Sequence, residues 1–332
     1  MTDPVAIAHD IAENLLFPAA LSTDRADLVA LENLDALADA GLYGMFGPVE
    51  TGGSAADLVT AGAVVEQLAS GCLTTALVWL QHHGLVGNLL LGDSPLREAW
   101  LPELCSGERR SGIVFAGLLP GPATLQAVRI DGGWRLDGTA PWVSGWGRID
   151  TLQVAARGQE GLEETVATVA ISDLDDARLT ACRHELAVLD ASGTVRLSFD
   201  GVTVEDSHLL SIASYQPGAT NALSLRLNGS LALGVASRCI SLLGQDASLA
   251  AEHGAQLDET RSMLDSADDH GIAAARAAAS AFAHKAAATL LVHTGSHSIE
   301  LDSHAQRLAR EAMFLMVFGS RPAIRSALLQ MV

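Results

Sequence analysis

The first third of the chain carries apolar residues at intervals of three and four positions. "DLVALENLDALADAGLYG" is one such segment, and Gly41 and Gly44 are placed to end its helix. "DLVTAGAVVEQLASG" and "TTALVWLQHHGLVGNLLLG" are apolar at nearly all positions, which is typical of helices buried on most faces. "SPLREAWLPELCSGE" adds a short helix and a turn. We therefore predict an N-terminal helical domain over residues 1–112.

Near residue 113 the periodicity changes. The segments that follow are short, rich in β-branched residues and separated by Gly and Asp turns: "GIVFAGLLP", "TLQAVRID", "WRLDG", "TLQVAAR", "ETVATVAIS" and "TVRLSFDGVTV". The step Asp131-Gly132-Gly133 lies between two alternating runs and predicts a hairpin. This pattern predicts a central β domain over residues 113–213.

Helical periodicity returns from about residue 218. "TNALSLRLNGSLALGVASRCISLLGQDASLAAEHG" and "HGIAAARAAASAFAHKAAATLLVHTG" each predict a long helix, and the alanines of the second allow close approach of its neighbours. "SHAQRLAREAMFLMVFGSRPAIRSALLQMV" predicts two shorter helices, broken near Gly319 and Pro322. The third predicted domain is a C-terminal helical bundle over residues 214–332, and the fold class is α+β.

Composition and charge narrow the range of partners. The chain has 332 residues, of which 49% are apolar and 18% charged, with a formal net charge of −19. Nucleic acid and anionic membranes are disfavoured because no patch of Lys and Arg is visible. The four cysteines form no CxxC pair, and no apolar run reaches the roughly 20 residues that span a bilayer. We expect a cytoplasmic protein, and the irregular histidine spacing predicts no metal site.

Three of the five tryptophans, Trp134, Trp142 and Trp146, lie within thirteen positions. Indoles are large and flat, and such a cluster favours one of two arrangements. One is a surface that stacks against a flat ligand. The other is a set of rings that fills the core of a small β domain, since burial is the usual fate of an indole ring.

Four segments resemble motifs of the acyl-CoA dehydrogenase family. "ALVWLQHHGLVGNLLLGDSPLREAWLPELCSGERRSGIVFA" is similar to the family's helix, turn and first strand, and "GGWRLDGTAPWVSGWGRIDTLQVAAR" resembles "GyvLnGtKxWItnGxxADxxvVxAR". "LDASGTVRLSFDGVTV" and "HAQRLAREAMFLMVFGS" resemble "lRaSdTxxvxFedVxVP" and "PveRlxRDaxxxxIxEGT". The resemblance runs from about residue 27 to 325. It implies the family's fold: an N-terminal helical domain, a central β-barrel or sandwich and a C-terminal helical bundle.

The resemblance also implies FAD as cofactor. In that family a Trp-Ile-Thr segment lies against the flavin, where the indole packs on the ring system and the hydroxyl bonds near N5. Trp142 matches the indole, Ser144 matches the hydroxyl, and Val143 lies between them. A second segment, "AGLLPGPATLQAV", matches the family's "xLTEPxxGSD" at the pyrimidine side and the pyrophosphate. The implied cofactor contacts are Phe115, Gly117, Leu118, Thr124, Trp142, Val143 and Ser144.

The chain departs from the family at the catalytic base. The family reaction removes a proton from the α-carbon of the acyl group, and in most members the Glu of "EGT" accepts it. The matching segment here reads Val317-Phe318-Gly319-Ser320, so Phe318 and Gly319 occupy the usual base position. Other members draw the base from the first helix of the last domain, but "NALSLRLNGSLALG" contains no acid. No catalytic residue is therefore assigned from the sequence.

The anchors of the FAD nucleotide are also altered. Leu118 stands where the family has a threonine, and Pro122-Ala123-Thr124 replace its Gly-Ser. "LAAEHGAQL" replaces the "RxxFG" segment that reaches a neighbouring subunit's FAD, and "LVHTGSHSI" replaces "QxxGGxG". These changes predict that FAD is bound differently, weakly, or with residues from another chain.

Several polar residues on the helices have a structural and a functional interpretation. Arg307 and Arg310 match "RlxRD", and we predict a helix-to-helix ion pair in preference to a contact with CoA. For His82 and His83, satisfied burial is favoured over a role beside the acyl pocket. Glu66 is interpreted as a solvated helix acid, with the substrate cavity as the alternative.

Three functions remain open at this point. The first is an acyl-CoA dehydrogenase-like flavoprotein for α,β-desaturation of an acyl-CoA thioester, working as the base-less subunit of a mixed assembly. The second is a reduced-flavin-dependent monooxygenase of the same fold, which needs no carboxylate base. The third is a catalytically inactive scaffold subunit. By resemblance we expect a homo- or hetero-oligomer, at least a dimer and commonly a tetramer.

Overall fold

The computed structural model describes residues 3–159, 161–162, 164–217, 221–244, 246–319 and 321–331. The part before the first strand is helical. A π-helical turn over Ala12–Leu16 joins the first two helices into one rod. The helices are α1 (Pro4–Ile11), α2 (Phe17–Asp24), α3 (Leu31–Asp39), α4 (Leu58–Gly71), α5 (Leu73–Leu91) and α6 (Leu96–Ser106). None of the helices in the described ranges is both long and apolar enough to cross a membrane.

Local sequence explains where α3, α4 and α5 begin and end. α3 stops before Gly41, whose φ of +73° favours glycine, as the sequence predicts. Asp57 caps α4 by accepting a hydrogen bond from the Thr60 amide at 2.7 Å, and these amide contacts lower the pKa of its carboxyl. Thirteen of the nineteen residues of α5 are buried, which confirms the prediction of a helix covered on most faces.

The middle of the chain forms one sheet. Its strands are β1 (Ser111–Val114), β2 (Leu125–Ile130), β3 (Gly133–Val143), β4 (Thr151–Gly158), β5 (Thr165–Ile171), β6 (Leu179–Arg183), β7 (Val195–Glu205) and β8 (Leu209–Ser214). The order is β6-β7-β3-β2-β4-β5-β8, with β1 paired in parallel to β4. The hairpin predicted at residues 131–133 is confirmed, because Ile130 pairs with Gly133 and Gly132 has a φ of +71°.

The last part of the chain is again helical. It contains α7 (Ala222–Leu242), α8 (Ala247–Ser266), α9 (Ile272–Thr294), α10 (His304–Val317) and α11 (Pro322–Leu328). The sequence predicted a single helix through residues 220–254, and this prediction is wrong. The chain breaks near Gly244, and Asp246 then caps α8 by accepting from the Leu249 amide at 3.1 Å. A glycine followed by a good N-cap residue outweighed the continuous apolar pattern.

The two largest apolar cores of the described residues hold most of these elements together. One core combines residues of both helical parts, including Leu68, Trp79, Leu231 and Leu308. The other lies within the sheet and contains Trp134, which is 1% exposed, while Trp146 packs against it from the side. For these two tryptophans the packing interpretation is confirmed.

The helical parts meet where α4 crosses α7. A Cβ added to Gly234 of α7 would lie 2.4 Å from the carbonyl oxygen of Glu66 and 2.7 Å from the Ala69 Cβ. Real Cβ atoms do not approach backbone so closely, so the two helices can touch at this point only because residue 234 has no side chain.

We expect Gly234→Ala to lower the free energy of unfolding by roughly 1–3 kcal/mol, because the added methyl must push two packed helices apart. The matched control is Gly254→Ala in α8, where a Cβ would meet no atom within 4 Å. This control should raise stability by roughly 0.5–1 kcal/mol through helix propensity. Urea unfolding followed by circular dichroism measures both changes. A Gly234→Ala protein as stable as the wild type would contradict the close helix approach.

Candidate active site

Trp142 lies near the end of β3 with its ring at the surface. Its neighbour Val143 is buried, and because side chains alternate along a strand, Trp142 points away from the sheet core. The indole is 62% exposed and stacks on His184 with ring centroids 4.4 Å apart. His184 is held in turn by a 2.7 Å contact between its Nε2 and the Pro141 carbonyl. One face of the indole is thus fixed, and the core-filling alternative is wrong for Trp142.

Ser144 stands at the end of a short chain of hydroxyl groups. Its Oγ is 2.8 Å from Thr194 Oγ1, which is 2.7 Å from Ser192 Oγ. Each hydroxyl has one proton to donate and lone pairs to accept with. Ser144 can therefore accept from Thr194 and direct its own proton outward to a ligand.

The segment 115–119 after β1 is a tight turn with apolar side chains at its surface. Phe115 is 37% exposed and Leu119 is 38% exposed. A Cβ on Gly117 would lie 2.6 Å from the backbone of Ala156, so the turn rests directly on β4. Thr124 follows as an exposed residue whose carbonyl accepts from the Thr139 amide at 2.7 Å.

The two segments matched to the flavin border the same region. A Cβ on Gly112, three residues before Phe115, would lie 3.4 Å from the Ser144 carbonyl oxygen. The start of β1 and the end of β3 are therefore adjacent. The segments that lead into the turn after β1 and out of the exposed indole are thus neighbours in the sheet domain.

The usual base position carries no acid. α10 ends at Val317, and the ring of Phe318 stacks on that of Phe314 with centroids 5.0 Å apart. Gly319 has a φ of +60°, and a Cβ there would lie 3.4 Å from the side-chain nitrogen Nδ2 of Asn228 on α7. Ser320 lies outside the described residues. The side chains described at this position can neither accept a proton nor hold one.

A buried cation lies beside this position instead. Arg276 of α9 is 1% exposed, and its guanidinium donates to the hydroxyl of Ser280. It also donates to the carbonyls of Leu315 at 3.3 Å and Phe318 at 3.5 Å. Burial lowers the pKa of Arg276 to about 10, because the charged form is removed from water. The charge at the base position is thus positive where the family pattern has a carboxylate.

The buried acids of the helices are committed to arginines. Glu66, which the sequence left between solvent and the substrate cavity, is 5% exposed and receives two hydrogen bonds from Arg261 at 3.0 and 2.6 Å. Glu311 accepts from Arg307 at 2.5 Å, and burial raises the pKa of its carboxyl. Neither is available as a free base.

The predicted helix-to-helix ion pair is confirmed at Arg310. Its guanidinium donates to both carboxylate oxygens of Asp24 in α2, at 3.0 and 2.5 Å, and to the Ala187 carbonyl at 3.0 Å. This residue therefore ties α10 to the first helices and to the sheet domain. The end of α10 is fixed in position by these contacts.

His82 and His83 of α5 are both buried, but only one has a partner. His82 Nδ1 accepts from the Ser111 amide at 3.2 Å, which connects α5 to β1. Neither ring nitrogen of His83 has a hydrogen-bond partner among the described residues, so the expectation of a satisfied histidine is wrong for His83. Burial lowers the pKa of His82 to about 3 and holds that of His83 well below its usual value.

Sequence reasoning missed several residues of this region: His184, Thr194, Arg276 and Arg321. Arg276 sits in a run of alanines, and an arginine at such a position signals a buried cation. His184 and Thr194 carry no pattern of their own, since their contacts with residues 142–144 come from strand pairing far along the chain. No group of three metal-ligating side chains occurs in the part of the chain that the structure describes.

Comparison with known proteins fits this architecture. Residues 5–108 match the family model for the acyl-CoA dehydrogenase N-terminal domain. The human mitochondrial short-chain specific acyl-CoA dehydrogenase is 22% identical over 241 residues, which is 70% of this chain and 58% of that enzyme. The chain thus aligns with little more than half the length of this curated relative.

Solved structures give the same fold. Butyryl-CoA dehydrogenase from Megasphaera elsdenii superposes with a TM-score of 0.83 at 17% identity, over 98% of this chain and 95% of that one. Dibenzothiophene monooxygenase from Paenibacillus sp. A11-2 superposes with a TM-score of 0.82 at 16% identity, over 99% and 95%. The α+β architecture of helical domain, β domain and helical bundle is thereby confirmed. The N-terminal part of the chain therefore matches the acyl-CoA dehydrogenase N-terminal domain, and the chain as a whole has the fold of acyl-CoA dehydrogenase structures.

The buried state of His82 predicts a pH dependence. Its pKa is about 3 in the folded protein, against a usual value near 6.5. Stability from neutral His82 is fully present above pH 6.5 and is lost as the pH falls toward 3, because the unfolded chain binds the proton first. His82→Gln keeps an acceptor for the Ser111 amide and removes this titration. We expect its unfolding free energy, measured in urea, to fall less steeply between pH 7 and 4.5 than that of the wild type.

The exposed His284→Gln serves as the control and should follow the wild-type slope. Equal slopes for His82→Gln and the wild type would show that His82 does not titrate as a buried group.

Proposed function

We propose that this chain is an FAD-binding, acyl-CoA dehydrogenase-like subunit that takes part in α,β-desaturation of an acyl-CoA thioester. We further propose that the catalytic base comes from a partner chain. The observation that carries this proposal is an exposed, one-side-stacked indole at Trp142 beside the Ser144 hydroxyl, combined with no acid at Phe318 and Gly319. The domains that we propose for this subunit are an N-terminal helical domain at 1–112, a β domain at 113–213 and a helical bundle at 214–332.

The residues present fit the ring system of a flavin. An isoalloxazine needs an apolar face and a hydrogen-bond donor near N5, and the exposed ring of Trp142 and the outward proton of Ser144 supply these. Val143, which lies between them in sequence and is buried, fixes the positions of Trp142 and Ser144 relative to each other. The turn containing Phe115, Gly117 and Leu118 would border the pyrimidine side. At the nucleotide end, the exposed Thr124 is the one matched hydroxyl.

When bound, the flavin would accept a hydride from the β-carbon of the acyl group. The chain's own residues bind and orient the ring, and they keep one face of the indole in place through His184. Removal of the α-proton requires a carboxylate held over the α-carbon. Glu66 and Glu311 are both paired with arginines, so we infer that a second chain contributes this group.

A reduced-flavin-dependent monooxygenase is the second candidate. It is favoured by one observation, the replacement of the base by a cation and apolar groups at Arg276 and Phe318, because oxygen chemistry on a reduced flavin needs no carboxylate base. The superposition on dibenzothiophene monooxygenase is compatible with this reading. A scaffold subunit without catalysis is the third.

The chain offers a surface for assembly. The alanine-rich α9 exposes Val292 and His293 and lies beside α8, where a groove of about 510 Å³ is lined by Leu249, Lys285 and Val292. We propose a homo- or hetero-oligomer, with a dimer as the smallest unit and acyl-CoA as the small-molecule partner.

Flavin binding tests the first step. We expect Trp142→Leu to weaken FAD binding about fivefold or more, because an aromatic ring contact contributes on the order of 1 kcal/mol beyond buried area. Leu301→Ala, which changes a side chain that is 70% exposed, is the control and should bind FAD as the wild type does. Quenching of flavin fluorescence during titration measures both affinities. Equal FAD affinity of Trp142→Leu and the wild type would contradict the assignment of the indole.

The second step is tested with the chain loaded with FAD under anaerobic conditions. Saturated straight-chain acyl-CoA thioesters should leave the flavin absorbance unchanged when the chain is alone, because it lacks a base. Bleaching by the chain alone would rule out a base from a partner. Oxygen consumption after chemical reduction, coupled to oxygenation of an aromatic substrate, would favour the monooxygenase, and failure to bind any FAD would favour the scaffold.

A further inference from the structure

The turn after β1 presents three consecutive backbone carbonyls to cationic or hydroxyl groups. Arg157 Nε donates to the Gly117 carbonyl at 2.9 Å, and its Nη2 donates to the Leu119 carbonyl at 3.0 Å. The Leu119 carbonyl also accepts from the Tyr215 hydroxyl at 3.2 Å. The guanidinium of Arg157 lies on the Tyr215 ring, 3.2 Å from its centroid. The turn is thus rigid before any ligand arrives.

The remaining carbonyl, that of Leu118, faces the C-terminal bundle. Arg321, the residue before α11, reaches it with Nη1 at 3.4 Å. This distance is long for a hydrogen bond, and it is the one contact of this kind that Arg321 makes within the described ranges. A guanidinium has five N–H donors, so most of the donor capacity of Arg321 is unused.

Arg321 also lacks a counter-charge. No carboxylate among the described residues lies within ion-pair distance of it, although the protein carries a net charge of −19. Partial burial lowers the pKa of Arg321, so part of its hydration has been lost. Two buried arginines of the bundle have a carboxylate partner, Arg226 in Asp265 and Arg238 in Glu13. Arg276 is bonded instead to a hydroxyl and two carbonyls. A partly desolvated cation with free donors is stabilised when an anionic group binds beside it.

The position of Arg321 matters because of what Leu118 lacks. Residue 118 is where the family pattern has a threonine hydroxyl toward the pyrimidine side of the flavin, and leucine has no donor. Arg321 brings its donors to the backbone of this same residue from the C-terminal bundle. Arg321 follows Phe318 by three residues, so its contact with the Leu118 carbonyl joins the end of α10 to the turn after β1.

We propose that Arg321 donates to the pyrimidine edge of the bound flavin in place of the hydroxyl missing at Leu118, and that its charge stabilises the reduced cofactor. This inference rests on the proposed binding of FAD. The N1 and C2 carbonyl edge of a flavin carries negative charge after reduction, and a cation near it tunes the electronics of the ring. The low-dielectric surroundings strengthen this interaction.

The experiment compares Arg321→Gln with the control Arg325→Gln, whose side chain is exposed on α11, the helix that follows Arg321. Both proteins are loaded with FAD, and two quantities are measured: the dissociation constant for sulfite, which adds at N5 and leaves negative charge at the pyrimidine edge, and the midpoint potential. We expect Arg321→Gln to bind sulfite about tenfold more weakly. A tenfold loss of preference for the reduced form lowers the potential by about 30 mV for a two-electron couple. Arg325→Gln should match the wild type in both.

Two further variants separate charge from structure. Arg321→Lys keeps the cation and should remain within about threefold of the wild type in sulfite affinity. Leu118→Thr combined with Arg321→Gln returns a hydroxyl to the turn and should recover part of the loss. Thermal unfolding of all variants identifies any that fail to fold. If Arg321→Gln fails to fold, Arg321→Lys is compared with the wild type instead.

The outcomes are distinct. An Arg321→Gln protein that binds FAD and has unchanged sulfite affinity and potential would overturn this inference and leave the proposed function standing. An equal loss in Arg321→Lys and Arg321→Gln would overturn the role of charge. A wild-type chain that binds no FAD would overturn the proposed function together with this inference, and the wild-type titration alone reveals that case.

Discussion

The contact between α4 and α7 at Gly234 is the constraint on which the rest of the structure depends. Because the backbone of Gly234 lies directly against the backbone of Glu66 and the Cβ of Ala69, the two helical parts share one apolar core and cannot move as independent bodies. α5 continues from α4 after one residue and is tied to β1 by the hydrogen bond between His82 and the Ser111 amide. The sheet domain is therefore placed relative to the bundle by the same contact.

The second consequence concerns the contacts between the sheet domain and the C-terminal bundle. Arg310 joins α10 to Asp24 and to the Ala187 carbonyl, and Arg321 reaches the turn that follows β1. The end of α10 is thus held from two sides. For the ligand proposed at this turn, Arg321 is already in contact with the turn before binding. Preorganisation of this kind lowers the ordering cost of binding.

The sequence predicts much of this fold and less of its site. Helices such as α5 and the hairpin at Gly132 depend on local apolar periodicity and turn chemistry, which a single sequence displays directly. The break between α7 and α8 was missed because Gly244 and Asp246 had to outweigh an apolar pattern that continues on both sides. Motif resemblance predicted Trp142 and Ser144 as flavin contacts, and these remain predictions. The stacking of Trp142 on His184 depends on strand pairing between distant segments. The spacing of residue types along the sequence does not reveal long-range contacts of this kind.

The positive charges of Arg321 and Arg276 also restrict where a catalytic base can lie. At an effective dielectric constant near 20, a unit charge 4 Å away changes the energy of a carboxylate by about 4 kcal/mol, which is about three pKa units. A carboxylate placed beside Arg321 would be stabilised as an anion and would be a weak acceptor for an α-proton. The donors of Arg276 are already engaged with Ser280 and two carbonyls, so its field is less available. A productive base from a partner chain must therefore lie away from Arg321, whereas chemistry without a base is free of this restriction.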